Sequence, residues 1–445
     1  MKALVVRIQP LSSLLTARSG LVAVNELLRR YAQLPQKLDR AFPLRSGHPD
    51  GAVALSYIAL LAQGITEFDA VEGMRRDPGF AHALGLEALP SAPTVRQRIE
   101  QRGKDWLEPL FEANRQLLWR AGPGLTPVQT GHVPLDIDVF VMDNSDSRKE
   151  GVGRTYLGVD GYAPIAAYLG GEGYLLELSL RPGTQHSVNE TPYTLERVLP
   201  LARQLTPAPL LVRMDSGFDS ARLVKELRAQ RDALKNVDWI IKWNPRRYDV
   251  QDDYRALVKD EFRHWTQLRP GKRVTLYRQQ HGDQIRVMRL TEETLDRHGQ
   301  ALLLPKLSIE GWWTSLKTIS NARIIALYED HGTHEQFHAE IKSEMGLERL
   351  PSGKFEANDA VLSLAVLAYN ALRLIGQTAL TQPDTPVRHP ARRRRLKTVI
   401  REFICAPGQW IQHARQVVLG IPTVWAGFRV FVDTLSRFQH QPVPG

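Results

Sequence analysis

The stretch VPLDIDVFVMD, residues 133–143, is the part of the sequence that decides the fold. Its alternation of apolar, β-branched residues with others predicts a β-strand. Asp136 and Asp138 are two residues apart, so both point to one face of that strand. Ile137 and Val139 point to the other face. A strand with two carboxylates on one face is a candidate wall of a polar site.

The segments on either side of this strand define its domain. A Gly/Pro-rich stretch at 121–132 marks a boundary before it. Two more strands joined by short glycine turns follow, and with the first they predict a three-stranded meander. Strand and helix patterns then alternate in NETPYTLERVLPLARQL, PLLVRMD, SARLVKELRAQ and VDWIIKW. This order predicts a mixed sheet covered by helices, a three-layer α/β/α domain over residues 130–244.

The remaining segments predict four further regions. Residues 1–125 have apolar residues at helical spacing and predict a helical N-terminal domain. Residues 245–318 contain strand patterns and predict a β-rich insertion. Residues 319–378 return to helical spacing and predict the second part of the α/β domain. Residues 379–445 form a basic segment that is predicted to be helical and partly extended.

Charge and composition restrict the function classes. The net charge is +10, and residues 381–445 hold ten Lys and Arg against three Asp and Glu. Such a basic end favours a nucleic-acid partner, although a merely soluble tail has the same composition. The single Cys405 excludes a disulfide framework and a cysteine-rich zinc site. Neither a transmembrane helix nor a signal peptide is predicted, and a cytoplasmic, nucleoid-associated protein is expected.

One segment of the N-terminal domain is a candidate for DNA recognition. LPSAPTVRQRIEQRG, residues 89–103, combines a turn, a Ser/Thr helix start and a short basic helix. Two helices joined by a tight turn, with a basic second helix, are typical of DNA-binding modules. Any helical bundle also contains such pairs, so both interpretations stay open.

Two more acidic residues are candidates for a site with Asp138 or Asp136. Asp215 ends a predicted buried strand and precedes Gly217, which allows a sharp turn. Sites in α/β sheets gather at the carboxyl ends of strands. Glu335 lies on a later predicted helix. Three converging carboxylates without cysteine form a hard-oxygen site that suits Mg²⁺ or Mn²⁺, and paired ions there would promote phosphoryl transfer. Singly, each acid is as compatible with a turn, a cap or a solvated surface.

The segment YEDHGTHEQFHAEIK, residues 328–342, is predicted to be helical and is unusually rich in polar side chains. Helical spacing predicts that one face carries Tyr328, His331, Glu335, His338 and Lys342. Phe337, Ile341 and Met345 are predicted to form an apolar stripe beside that face. A zinc site made by His331, His334 and His338 is an alternative, supported only by the i, i+4 spacing of the last two.

These residues resemble a known family. The segment matches the pattern Tyr-x2-Arg-x3-Glu-x6-Lys of bacterial DDE transposases of the insertion-sequence 4 superfamily, with His331 in the place of the arginine. LDIDVF and VRMDSGFDS resemble the blocks that hold that superfamily's first and second Asp. RPGTQHSVNETP and ERLPSGKFEANDAVLSLAVLAYNALR are similar to its insertion-sequence 1380 branch. The resemblance covers roughly residues 60–435.

The resemblance implies a ribonuclease-H-like catalytic fold with a β-rich insertion between the second Asp and the Glu. It implies Asp138, Asp215 and Glu335 as catalytic, metal-binding residues with Mg²⁺, for which Mn²⁺ may substitute. Asp136 shares the face of Asp138 and is an alternative first ligand. The DNA-binding residues that the resemblance implies are Tyr328, His331, Lys342, Trp312, Arg349 and Lys354.

Two of these positions need comment. A neutral imidazole at His331 lacks the fixed charge and fork of the arginine it replaces, which predicts a weaker or pH-dependent phosphate contact. Trp312 and Trp313 form a pair that suits stacking on an unpaired base, but core packing suits one of them equally.

The predicted function is cut-and-paste DNA transposition by metal-dependent strand cleavage and strand transfer. The partners expected are double-stranded DNA, as terminal inverted repeats and as target, and a second copy of the chain when DNA is bound. No membrane partner is expected. A DNA-binding descendant that has lost catalysis and a nuclease without strand transfer are the alternatives.

Overall fold

The structure is a computed structural model that describes residues 8, 10, 12–246, 248–282, 284–296, 298–380, 393–413 and 416–444. The chain divides into two compact units. The first unit contains residues 1–122 and 340–445, and the second contains residues 123–339. The predicted region 319–378 is therefore shared between the two units, because its apolar helix packs with the N-terminal helices.

A nine-stranded mixed sheet organises the second unit. Its strands are β1 Val133–Val139, β2 Ile165–Leu169, β3 Tyr174–Ser179, β4 Leu210–Met214, β5 Val237–Lys242, β6 Thr266–Arg269, β7 Lys272–His281, β8 Gln284–Leu295 and β9 Ala301–Thr314. The strand order is β6-β7-β8-β9-β5-β4-β1-β2-β3. A large mixed sheet was predicted, and β1, β4 and β5 form its parallel centre.

The antiparallel meander was also predicted. β2 pairs antiparallel with β1 and with β3, as the glycine turns indicate. The β-rich segment after β5 extends the same sheet, because β9 pairs antiparallel with β5 and places Trp312 opposite Lys242. A small second sheet was not predicted. Its strands are Met142–Asp143, Gly153–Arg154 and Asp160–Tyr162.

Helices connect the strands of the second unit. They are α1 Thr191–Leu205, α2 Ala221–Leu234, α3 Gln251–Lys259, α4 Asn321–Glu329 and α5 His334–Ala339. α1 and α2 bury one apolar face each, as the spacing of Leu195, Val198 and Leu199 shows for α1. The third of these helices, within the β-rich segment, was not predicted.

Residues 328–342 are helical, as predicted, but they do not form one regular α-helix. α4 ends at Glu329, a 3₁₀ turn covers Asp330–Thr333, α5 follows, and Glu340–Glu344 is a π-helical turn. These changes of pitch break the predicted single face. His331 and His338 are buried, whereas Glu335 is exposed. The predicted apolar residues Phe337, Ile341 and Met345 are all buried.

The first unit is mostly helical. Its helices are Leu21–Glu26, Leu34–Ala41, Asp50–Leu61, Val71–Arg75, Pro78–Ala83, Ala92–Ala121, Phe355–Leu380, Leu396–Val399 and Phe428–His440. A short sheet orders Leu14–Thr16, Gly408–His413 and Gln416–Gly420. The basic helix predicted to be short runs for 30 residues, Ala92–Ala121, and its N-cap is Ser91, in line with the predicted Ser/Thr start. It packs along Phe355–Leu380, where Gly103 allows a close approach to Ala360.

Two sequence expectations about the first unit need refinement. Among the described residues, one helix, Phe355–Ala379, is long and apolar enough to cross a membrane, and no such helix was predicted. However, 89% of its apolar window is buried inside the protein. The basic C-terminal segment is part of the folded core, since Leu396, Phe403 and Phe438 are buried. Arg388, Arg392 and Arg415 of that segment lie outside the described residues.

The packing that positions α5 can be tested by a substitution at Gly173. It has a φ of +74°, and a Cβ at this position would collide with the ring of Phe337 on α5. We expect Gly173→Ala to lower the free energy of unfolding by about 2–3 kcal/mol, from the strained φ together with overpacking. Gly131→Ala is the matched control, because Gly131 has a φ of +81° and a Cβ there would meet nothing within 4 Å. Equal losses in denaturant unfolding of the two variants would show that the Phe337 contact does not matter.

Candidate active site

Two aspartates end neighbouring parallel strands. β1 and β4 pair in a register that places Ile137 opposite Met214, so Asp138 and Asp215 follow as the next pair of positions. Asp215 caps the turn Ser216–Phe218, and its Oδ1 accepts a hydrogen bond from the Gly217 N–H at 3.0 Å. The structure therefore brings these two predicted carboxylates to the same edge of the sheet, as the strand-end argument predicts.

The two carboxylates differ in their titration. Burial raises the pKa of Asp215 to about 6, and the negative charge of Asp138 adds to this rise. Burial also acts to raise the pKa of Asp138, but the hydrogen bond from His334 and the charges of the neighbouring imidazoles outweigh it and lower that pKa. The two pKa values differ because His334 hydrogen-bonds to Asp138, whereas burial dominates at Asp215.

Two histidines of α5 join Asp138. Nε2 of His334 lies 2.7 Å from Oδ2 of Asp138, and Nδ1 of His338 lies 3.8 Å from the same oxygen. The other ring nitrogen of His334 donates to the carbonyl oxygen of His331. Burial acts to lower the pKa of His334, but Asp138 outweighs it and the pKa is raised. The ring of His338 stacks on Phe140 at 4.2 Å between centroids, which fixes its orientation.

These residues fit a divalent cation. One ligand atom from each of Asp138, His334 and His338 lies within 4.8 Å of the others. Asp215 lies at the same edge of the sheet, where burial and the charge of Asp138 raise its pKa, so a cation there would favour its ionised form. Oxygen donors suit Mg²⁺ and Mn²⁺, whereas imidazole nitrogens favour Mn²⁺ and later transition ions over Mg²⁺. Of the three histidines in the predicted zinc site, His334 and His338 belong to this group of ligands, whereas Asp138 takes the place of His331.

Asp136 has a different role from Asp138. Its two oxygens accept from Nε and Nη2 of Arg213 at 2.6 and 2.7 Å. Nη1 of Arg213 donates to the carbonyl oxygen of Leu327 at 2.8 Å, which ties β4 to α4. Burial acts to raise the pKa of Asp136, but Arg213 and His331 outweigh it and lower the pKa strongly. Because this carboxylate is already paired, the geometry favours Asp138 as the candidate ligand on β1.

His331 does not lie where a surface phosphate contact needs it. The residue is only 3% exposed, and its Nδ1 lies 3.0 Å from Oδ1 of Asp136. Its ring is also 3.9 Å from the ring of His334 between centroids. The side chain thus packs beneath the site next to the ion pair of Asp136, and this burial disfavours the predicted DNA contact.

Glu335 and Tyr328 are two other predicted site residues of the second unit. Glu335 is exposed, and among the described residues its carboxylate has no hydrogen-bond or ion-pair partner. Its place as third metal ligand stays a prediction. Tyr328 is half-buried, and burial first, then Asp215 and Asp138, raise its pKa. This hydroxyl therefore lies near the site and is a neutral hydrogen-bond donor.

Trp312 does not offer a face for base stacking. It is 1% exposed and belongs to the core with Leu211, Ile240 and Val287. Trp312 is therefore the member of the Trp pair that packs in the core. Side chains alternate between the two faces of β9, and the ring of Trp312 points inward. Trp313 is half-buried on the other face of β9.

Three predicted DNA-binding residues belong to the first unit. Lys342 forms an ion pair with Glu348, with Nζ 3.0 Å from Oε2. Arg349 and Lys354 have exposed side chains. Their DNA contacts stay predictions.

Sequence reasoning missed two residues near the carboxylates. Arg213 lies in an apolar strand, where an arginine signals a buried partner. Tyr156 lies in the loop between two strands of the small sheet and is 67% exposed. Its hydroxyl donates to the Val139 carbonyl oxygen at 3.2 Å. Although most of the residue is exposed, partial burial of the hydroxyl, together with the charges of Asp138 and Asp215, raises its pKa.

Comparison with known proteins identifies the family of this chain. A family model described as "Transposase DDE domain group 1" matches residues 4–443. The chain belongs to this family, and it is a DDE transposase, an enzyme of DNA transposition and recombination. No curated protein matches the chain. A solved structure, "Cryo-EM structure of piggyBac transposase synaptic complex with hairpin DNA (SNHP)", is similar with a TM-score of 0.42 and 12% identity, over 96% of this chain and 86% of that one.

Proposed function

We propose that the chain is the transposase of a bacterial insertion sequence, which cuts DNA at the ends of the element and joins them to target DNA. The insertion-sequence 4 superfamily and its 1380 branch are the proposed relatives, with a ribonuclease-H-like three-layer catalytic domain. The observation that supports this most is the pair Asp138 and Asp215 at the ends of adjoining parallel strands. A dimer on DNA, in the bacterial cytoplasm, is part of the proposal, because two ends must be brought together.

The residues of this chain would act as follows. Asp138 and Asp215 hold a divalent cation, with Glu335 as the proposed third carboxylate. Such a cation supplies Lewis-acid activation of the attacking oxygen and charge stabilisation at the leaving oxygen. Arg213 holds β4 against α4 and so keeps Asp215 in place. Tyr328 and Tyr156 offer hydroxyl groups beside the carboxylates, where a phosphate of the DNA strand would lie.

The test uses the purified full chain and a plasmid that carries the DNA flanking its coding region. Strand cleavage and joined products that require Mg²⁺ or Mn²⁺ are expected. Cleavage without joining would identify a nuclease without strand transfer. Binding with neither reaction would identify a DNA-binding descendant that has lost catalysis. Either of these outcomes would overturn the proposal.

The identity of the third ligand is open to a separate measurement. We expect His338→Ala to reduce Mn²⁺ affinity about 10–100-fold, the range found for groups that orient or complete metal sites, with less effect on Mg²⁺. Glu335→Gln should reduce affinity for both ions. His298→Ala, a change at an exposed histidine of the loop before β9, is the control. Calorimetric titration with each ion measures the affinities.

Proton release gives an independent check of the histidine contribution. Nδ1 of His334 donates to a carbonyl oxygen and its Nε2 faces Asp138, an arrangement that raises the pKa of the ring and favours the doubly protonated form before an ion binds. Coordination through Nε2 requires loss of that proton. Mn²⁺ binding to the wild-type protein should therefore release a proton, and Mn²⁺ binding to the His334→Gln variant should not release it. Equal proton release by both proteins would exclude His334 as a ligand.

A further inference from the structure

A pocket of about 650 Å³ lies in the second unit outside the carboxylate cluster. Its walls come from the segments that follow two parallel strands, namely Asp219 and Ser220 after β4, and Trp243 and Asn244 after β5. Arg286 of β8 forms a further wall. Segments after the carboxyl ends of parallel strands are the usual place for ligand sites in α/β sheets.

Arg286 is buried in this pocket without an acidic partner. It is 8% exposed, and its guanidinium lies 4.3 Å from the ring centre of Trp243, 4.9 Å from that of Trp313 and 5.4 Å from that of Tyr248. Nε and Nη2 both donate to Oε1 of Gln279. Among the described residues, Nη1 has no hydrogen-bond partner, and no carboxylate forms an ion pair with this guanidinium.

The two nearby carboxylates are occupied elsewhere. Oδ2 of Asp253 accepts hydrogen bonds from the hydroxyls of Tyr248 and Tyr277. Oδ2 of Asp219 accepts from the Asn244 N–H at 2.9 Å. Burial lowers the pKa of Arg286, and the nearby tyrosines and the more distant charges of Asp253 and Asp219 only partly oppose this, so the charge is held at a desolvation cost. An anion in the pocket would remove this cost by pairing with the open side of the guanidinium.

The other pocket walls supply hydrogen-bond donors. The 14-residue helix α2 begins at the pocket, and the side chain of its N-cap, Ser220, makes no capping hydrogen bond. The first N–H groups of α2 therefore lack a side-chain acceptor and favour an anion. His186 accepts the Val188 N–H with Nδ1, so its Nε2 carries the proton and can donate. Arg246 adds an exposed cation.

We propose that this pocket is a phosphate subsite, in which Arg286 and the N-terminal turn of α2 bind one phosphate of a DNA strand that is not cleaved there. The proposal rests on the proposed function for the identity of the ligand, since a DNA strand is the phosphate source that a transposase meets. Both an internal phosphate and a 5′-terminal phosphate have the chemistry that these donors recognise. The subsite would hold the strand in register while Asp138 and Asp215 act on another phosphate.

The first test measures the salt dependence of DNA binding. For Arg286→Met, the plot of log affinity against log salt concentration should become shallower by about 0.9 for the one duplex phosphate contact that is lost. Arg273→Met is the matched control, because Arg273 also lies over a tryptophan, Trp265 at 4.4 Å, but is already paired with Glu292. Duplexes with and without a 5′-phosphate separate the two sources. An unchanged slope in a folded Arg286→Met protein would overturn the proposal.

A second measurement uses the unaltered protein and so does not depend on the stability of a variant. Phenylglyoxal modifies accessible arginines, and peptide mass mapping reports each site. Inorganic phosphate and DNA should each protect Arg286 and leave the modification of Arg273 unchanged. The proposed subsite would be refuted if inorganic phosphate or DNA failed to protect Arg286. It would also be refuted if Arg286 did not react in the free protein. Protection by inorganic phosphate in a protein that neither cleaves nor joins DNA would refute the proposed function and leave the subsite in place.

Discussion

Asp215→Asn is expected to abolish metal-dependent DNA cleavage and, at the same time, to stabilise the metal-free protein. The carboxylate is a proposed ligand on the edge where β1 and β4 end, so its loss should lower cleavage by more than about 100-fold, the upper range for groups that only support a metal site. The amide removes one negative charge and no basic surface, so affinity for DNA should hold.

The gain in stability follows from the pKa of this carboxyl. The folded protein raises it from 3.8 to about 6. A raised carboxyl pKa means that the native state is favoured while the group is protonated, and this contribution is lost as pH rises from 3.8 to about 6. At neutral pH the ionised group therefore destabilises the metal-free fold by up to about 3 kcal/mol, and asparagine removes that cost.

Denaturant unfolding at neutral and at acidic pH measures this effect. The variant should be more stable than the wild type at neutral pH, and the difference should shrink below about pH 6. Mn²⁺ should stabilise the wild type more than the variant, because it binds the native site. Asp252→Asn is the control, since Asp252 is a surface residue that pairs with Arg255. If the Asp215→Asn variant cleaves DNA at the wild-type rate, Asp215 is not part of the active site.

Arg213→Met is expected to be the most destabilising single change in the second unit among those considered. Asp136 and Arg213 are 2% and 3% exposed and form a two-point ion pair. Removal of the cation leaves a buried carboxylate with only His331 beside it, which costs about 3–5 kcal/mol. The tie from Arg213 to the Leu327 carbonyl oxygen is lost as well.

A double variant separates the charge effect from the packing effect. Asp136→Leu combined with Arg213→Met replaces the pair by apolar side chains and should recover most of the lost free energy of unfolding, because the uncompensated charge is gone. Arg222→Met, at an exposed position at the start of α2, is the control and should change stability little. A loss below about 1 kcal/mol for Arg213→Met would show that the pair contributes nothing beyond its packing.

The sequence by itself identified the central strands of the large sheet and the helices α1 and α2 between them. Period-two alternation identified β1, and apolar β-branched runs identified β4 and β5, because these patterns depend on local geometry. Strand-end logic also selected Asp215, and the two-residue spacing selected Asp136 and Asp138 together. The same local rules predicted a Ser/Thr start for the long helix Ala92–Ala121, whose N-cap is Ser91.

Only the tertiary structure distinguished the surroundings of side chains that the sequence left equivalent. Asp136 and Asp138 share a face of β1, but Arg213 comes from the next strand and pairs with the first, while His334 comes from α5 and reaches the second. Trp312 and Trp313 are sequence neighbours, yet the pairing of β9 with β5 and β8 buries only Trp312. Likewise, the unpaired guanidinium of Arg286 follows from the rings and amide that surround it. Such choices depend on partners distant in sequence, and no local pattern contains them.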